Sequence, residues 1–210
     1  MKVLYRIVNA LLAAAIFPAA LFLDFVIIKV STTFLDAGIM ETFTLKKIID
    51  VLMGNDTLFG IPFEPGETEI TWPAALDPAK GRLIATVVCF ALALIAALFI
   101  IIWSICSNKR IPVVIASFVG AASVITMTTC FHSATALLTE GIINVVELFT
   151  SSWLLSIFGE VILVDTFSFA GFQNGMLIIF ICLLVWTGAY YLVEIGEPKE
   201  EKPAKAKKHN

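Results

Sequence analysis

The sequence predicts an all-α polytopic membrane protein, a bundle of four transmembrane helices with amphipathic, interfacial helices in its two outer loops. Three observations carry this. Leu83 to Cys106 runs 24 residues without Asp, Glu, Lys, Arg or His, past the ~18 that mark a membrane-span candidate. Ser107-Asn108-Lys109-Arg110-Ile111-Pro112 then breaks the run with two cations and a proline, and Val113 to Thr139 is again free of Asp, Glu, Lys and Arg, so the whole reads as a helical hairpin. Finally, 59% of the 210 residues are hydrophobic and only 15% charged, against ~45–50% and ~25% in soluble domains. That excess of apolar surface is explained by contact with a lipid bilayer.

A net charge of −3 with no basic patch argues against nucleic acid as a partner. The four cysteines, Cys89, Cys106, Cys130 and Cys182, all fall inside predicted spans. They form no C-x-x-C pair, so neither a disulfide framework nor a metal or redox site is expected, and a cysteine in an apolar helix acts as a small hydrophobe.

The first span covers about residues 7–29. Lys2 and Arg6 precede an apolar run, Ile7–Ile28, broken only by Asn9, Pro18 and Asp24. A cleaved signal peptide is the alternative, but Pro18-Ala19-Ala20 is a poor cleavage site and the run continues past it. Pro18 should kink the helix, since it lacks an N–H and clashes with the preceding turn. Asp24 is a costly residue in hydrocarbon. Lying ~25 Å from Ile7 at 1.5 Å per residue, it is expected to reach headgroup water, paired with Lys29.

Residues 31–81 form the first outer loop. Leu45, Ile48, Ile49, Leu52 and Met53 share one helical face, with Lys46, Lys47 and Asp50 off it, so a short amphipathic helix is expected over 43–53, lying either on the membrane interface or on the ends of the spans. Glu69-Ile70-Thr71-Trp72 suits a short strand, with Trp72 a headgroup anchor.

The second span, 82–106, carries Gly81, Ala85, Cys89, Ala93 and Ala97 at four-residue spacing. Such a ridge lets backbones approach closely where lipid supplies no hydrophobic drive. The third span, 112–139, carries a second ladder, Ala122, Thr126, Cys130 and Ala134, as its natural partner. Beside it Thr128, His132, Ala136 and Glu140 form a polar stripe. A histidine facing a bundle interior can relay protons or hold a ligand, whereas one at the outer interface needs only water and a hydroxyl. Threonines, for their part, can bond their own helix carbonyls.

The second outer loop spans 140–174. Glu140, Asn144, Glu147 and Ser151 mark the polar stripe of an amphipathic helix over 142–158. A fifth span, 142–164, is the rival, and it would bury Glu147 and Glu160. Residues 161–169 read as β-prone or as loop packed on the bundle. The last span, 175–194, ends in Trp186, Tyr190 and Tyr191, like an aromatic belt. Residues 1–195 thus make one membrane domain, and 196–210 a low-complexity tail.

The layout of four spans, a large first loop and a smaller second resembles claudin-like proteins in topology. The tryptophan-and-cysteine signature of that family is missing, because Trp72 stands alone and no cysteine lies between Ser31 and Lys80. The resemblance therefore implies no activity and no site residue.

Nine cations fall on the side of the termini (Lys2, Arg6, Lys109, Arg110 and five tail lysines) and five on the other. The positive-inside rule then places both termini in the cytoplasm. No His-Glu-x-x-His, Gly-x-Ser-x-Gly or phosphate-loop motif occurs, and no cofactor is expected. A non-enzymatic structural or accessory subunit, meeting a membrane-protein partner through its outer loops, fits best. A pore- or transporter-forming homo-oligomer using the polar half of the third span is the alternative. An intramembrane enzyme built on Asp24, His132 and Glu140 fits least.

Overall fold

The computed structural model describes residues 2–32, 35–53, 57–58, 61–62, 74–139, 161–162 and 170–196. Helices α1 (Lys2–Ala14) and α2 (Ile16–Phe22) form the first long apolar segment. Strands β1 (Asp24–Thr32) and β2 (Leu35–Thr44) follow, then α3 (Leu45–Leu52), the short strands β3 (Thr57–Leu58) and β4 (Ile61–Pro62), and a 3-10 turn at Ala74–Ala79. The long helices α4 (Lys80–Cys106) and α5 (Ile111–Thr139) come next, then β5 (Val161–Ile162) and a last long helix, α6 (Ala170–Gly196). Four helical stretches are long and apolar enough to cross a membrane: Val3–Phe22, Asp77–Cys106, Ile111–Leu137 and Gly171–Val193.

The chain is mostly helical, but several expectations need correction: the last span begins at Ala170, not at 175, so residues 170–174 belong to the helix and not to the second outer loop. The first span does not reach residue 29: helix ends at Phe22, Leu23 turns extended (φ −79°, ψ 149°), and Asp24 opens a strand. The all-α description also fails in the first outer loop, where β1 and β2 form an antiparallel hairpin from Asp24↔Thr44 to Thr32↔Leu35. Phe25-Val26-Ile27-Ile28 is rich in β-branched side chains, which favour the pleated strand. Periodicity cannot tell an apolar strand from the end of an apolar helix. The 20 residues of Val3–Phe22 already suffice to span hydrocarbon.

Pro18 lies in α2, just after an interruption of the first apolar helix. The helix breaks at Ala15, between α1 and α2, one turn before the proline. Ala15 N–H still reaches Leu11 O at 3.0 Å, and Ala19 N–H reaches Ala15 O at 3.2 Å.

The long helices pack in a ring, α1–α4–α5–α6, with α4 on α5 the most extensive contact. One stripe of each turns inward: Tyr5, Asn9, Ala13 and Ile16; Ala93, Ala96, Ala97 and Ile100; Val113, Val124, Met127 and Phe131; Phe172, Met176, Phe180 and Leu183. The other faces are studded with exposed Ile, Leu, Val and Phe, as a lipid-facing surface requires. At Gly120 an added Cβ would collide with the Phe180 ring, so glycine lets α6 approach α5 there.

β1 also pairs with β5, through Ser31↔Ile162 and Thr32↔Val161. The sheet order is β2-β1-β5. The fifth-span reading fails at this point, since residues 161–162 are extended and hydrogen-bonded to β1. The amphipathic helix expected over 142–158, the strand at Glu69–Trp72, Glu140 and the tail lie outside the described residues.

Candidate functional site

The start of α1, the end of α6 and the 107–110 turn lie at one end of the bundle, here the termini end; the sheet and α3 lie at the other, the sheet end. Polar side chains are handled differently at the two.

At the sheet end, Phe25, near the start of β1, packs edge-on against Phe172 of α6 (centroids 5.1 Å, 87°) and at 5.9 Å from Phe131 of α5. Phe90 of α4 completes the cluster, 5.5 Å from Phe172. These rings seat the sheet on three helices, and each pair adds ~0.5–1.5 kcal/mol beyond its area burial. Arg82 donates to Ser133 O, tying α4 to α5. Thr44 Oγ1 accepts the Lys47 N–H at 3.1 Å, capping α3. Lys46 pairs with Asp50 at 3.1 Å across one turn, an exposed pair of small worth. Ile48 packs on the core while Ile49 and Met53 stay exposed. The helix therefore rests partly on the span ends and leaves part of its apolar face uncovered.

Asp24 sits half-buried in β1 rather than in a helix, against the first turn of α6 at Gly171. Lys29 lies five residues further along the strand, ~16 Å at 3.3 Å per residue, and its side chain, with the expected pair, lies outside the described residues. His132 is exposed, as are Thr126 and Thr129, and its imidazole faces out of the bundle. The hydroxyls of Thr126, Thr128 and Thr129 bond their own helix at Ala122 O, Val124 O and Ile125 O, at 2.8–3.0 Å. Asp24 and His132 are not brought together. Among the described residues no group of three His, Cys, Asp or Glu could hold a metal.

The two ladders are placed unequally. Ala93 and Ala97 are fully buried, Ala85 and Cys89 half-buried, and Gly81 is exposed. On α5, Ala134 is buried and Cys130 half-buried, but Ala122 and Thr126 are exposed. The face α5 turns inward is instead Val113, Ser117, Gly120, Val124, Met127 and Phe131. The ladders meet at Cys89 and Cys130, but residues four apart drift round an α-helix, so Ala122 and Thr126 leave the packed face.

The termini end holds what sequence reading missed. Arg6 Nε donates to Ser104 O at 2.7 Å, clipping α1 to the last turn of α4. Tyr5 stacks on Tyr190 (centroids 4.4 Å, 23°). The Arg110 guanidinium lies 5.0 Å and 5.3 Å from the Tyr190 and Tyr191 rings, within cation–π range. Trp103 Nε1 donates to Lys109 O at 3.0 Å, closing the basic turn. Around these clips lies a group of buried polar atoms with no hydrogen bond among the described residues: Tyr5 Oη, both amide atoms of Asn9, Ser104 Oγ, Ser117 Oγ, Trp186 Nε1 and Thr187 Oγ1. Asn9 is fully buried. A buried unpaired group costs ~1–3 kcal/mol, so the unpaired buried polar atoms of the described residues concentrate at this end. The available signal was Tyr5 and Asn9, one turn apart at the start of an apolar span.

The four apolar helices are compatible with an integral membrane protein. Neither a family model, a curated protein nor a solved structure matches the chain.

Proposed function

We propose that this protein is a non-enzymatic accessory subunit of a membrane assembly, and that it docks a partner protein through the sheet end. The carrying observation is that one sheet is stitched from both outer loops. β5, some 130 residues after β1, pairs with it, and Phe25 seats the result on α5 and α6. Two loops far apart in sequence thus act as one rigid surface. Among the described residues β2 is an edge strand of ten residues, a form that recruits an added strand from a partner. The charge bias of nine cations against five supports termini in the cytoplasm and the sheet outside.

The test is a photo-crosslinking residue at Asp36 in β2, and another at Asn108 in the opposite turn, in the full chain at native expression. A partner protein captured at 36 and not at 108 supports the docking role. Capture at neither position refutes it.

A second reading, a homo-oligomeric pore, is favoured by one observation. Thr126, Thr129 and His132 share an exposed face of α5, which neighbouring copies would turn toward a common axis. Intact mass in mild detergent separates the two: a ring of fixed stoichiometry selects the pore.

A further inference from the structure

We propose that the termini end binds the phosphate of an anionic phospholipid, at a site made by Arg6, Tyr5 and Ser104. The inference rests on the bilayer-spanning reading and is independent of the docking role.

Arg6 is half-buried and spends one N–H on Ser104 O. Its other four N–H groups make no hydrogen bond or ion pair to a described residue. A planar guanidinium so placed matches two phosphate oxygens at once. Two buried hydroxyls belong to residues next to it. Tyr5 precedes it in the chain and Ser104 carries the carbonyl it binds; both are at least 98% buried, and both hydroxyls lack a partner among the described residues. Phosphate oxygens accept from hydroxyls as readily as from guanidinium.

Depth and field agree with this. Arg6 lies ~6 Å along the axis from Lys2. Tyr5, Trp186, Tyr190 and Tyr191 gather at the same end, and aromatic rings of this kind settle at the headgroup level. Lys109 and Arg110 add positive charge at this end, where α6 also brings Glu194 in its last turn. Basic sites between span ends are a recognised means of holding anionic headgroups. Asn9, one turn deeper, and Thr187 on α6 continue the unpaired polar lining toward the level of glycerol esters.

The test uses the full chain in detergent, titrated with phosphatidylglycerol, phosphatidylcholine or inorganic phosphate, with bound lipid read by native mass spectrometry and stability by thermal unfolding. Phosphatidylglycerol should bind about tenfold or more tightly than phosphatidylcholine, because choline offsets the phosphate charge. Arg6→Gln should lose about tenfold, the worth of a charge-assisted hydrogen bond. Arg82→Gln, the matching clip at the sheet end, should keep the preference. Tyr5→Phe retains the stack on Tyr190, so it should unfold like the parent without lipid yet bind phosphatidylglycerol roughly threefold more weakly. Equal binding of the two lipids, or a preference surviving Arg6→Gln, overturns the proposal. So does the same stabilisation from inorganic phosphate, which would assign the site to a free anion. If Arg6→Gln fails to fold, Tyr5→Phe decides, and undiminished binding by that variant overturns the proposal.

Discussion

The two ends of the bundle solve the same problem in opposite ways. Each has an arginine donating to a carbonyl on a neighbouring helix, Arg82 to Ser133 and Arg6 to Ser104. At the sheet end no buried side-chain polar atom is unpaired among the described residues: an aromatic cluster joins strand to helices, Thr44 caps α3, and threonine hydroxyls close on their own backbone. At the termini end the clip is ringed by unpaired Tyr5, Asn9, Ser104, Trp186 and Thr187 atoms. A buried polar network is stabilising only when every member is satisfied. The difference separates an end that holds a surface rigid from one that awaits polar groups from lipid or water.

That contrast can be broken by substitution. Phe172→Ala should have the largest effect. Its ring is fully buried between Phe25 and Phe90, and its removal should cost ~3–5 kcal/mol and release the hairpin. Denaturant unfolding in detergent, with hydrogen exchange on β1 and β2, would show both losses. A small loss confined to α6 would mean that the sheet is not seated by this cluster. Thr44→Ala is expected to cost ~1 kcal/mol and to unprotect the α3 amides ahead of the rest, which the same exchange experiment reads. The smallest effect, and the sharpest for the comparison, is Asn9→Leu. The two side chains have the same branching, and an unpaired buried amide contributes nothing that leucine lacks. In lipid-free detergent the variant should unfold within ~1 kcal/mol of the parent, or be more stable. A loss above ~2 kcal/mol would show that Asn9 is paired within the protein and that the two ends are alike.

Much of the helical frame was legible. Absence of charge over 20 or more residues leaves few alternatives to a span, and the basic turn at Lys109-Arg110 marks its ends because cations and proline cannot continue it. The helices at Lys80–Cys106 and Ile111–Thr139 therefore lie within two residues of their expected bounds. The α3 helix was legible from its apolar period. The hairpin was hidden because Phe25-Val26-Ile27-Ile28 extends an apolar run without a break, and only the partner strand shows that it is not helix. Half of the α5 ladder, Cys130 and Ala134, packs as expected and half, Ala122 and Thr126, does not, because many small residues leave the buried face ambiguous.

By itself the sequence determined the four apolar helices, the basic turn and the uneven spread of cations, since these depend on local composition and on what hydrocarbon admits. Only the tertiary structure decided which face each helix buries, that β5 returns to β1 across some 130 residues, that Arg6 meets Ser104 and that Tyr5 meets Tyr190. Those depend on pairings between distant segments, and no local pattern encodes which of many compatible neighbours a side chain will find.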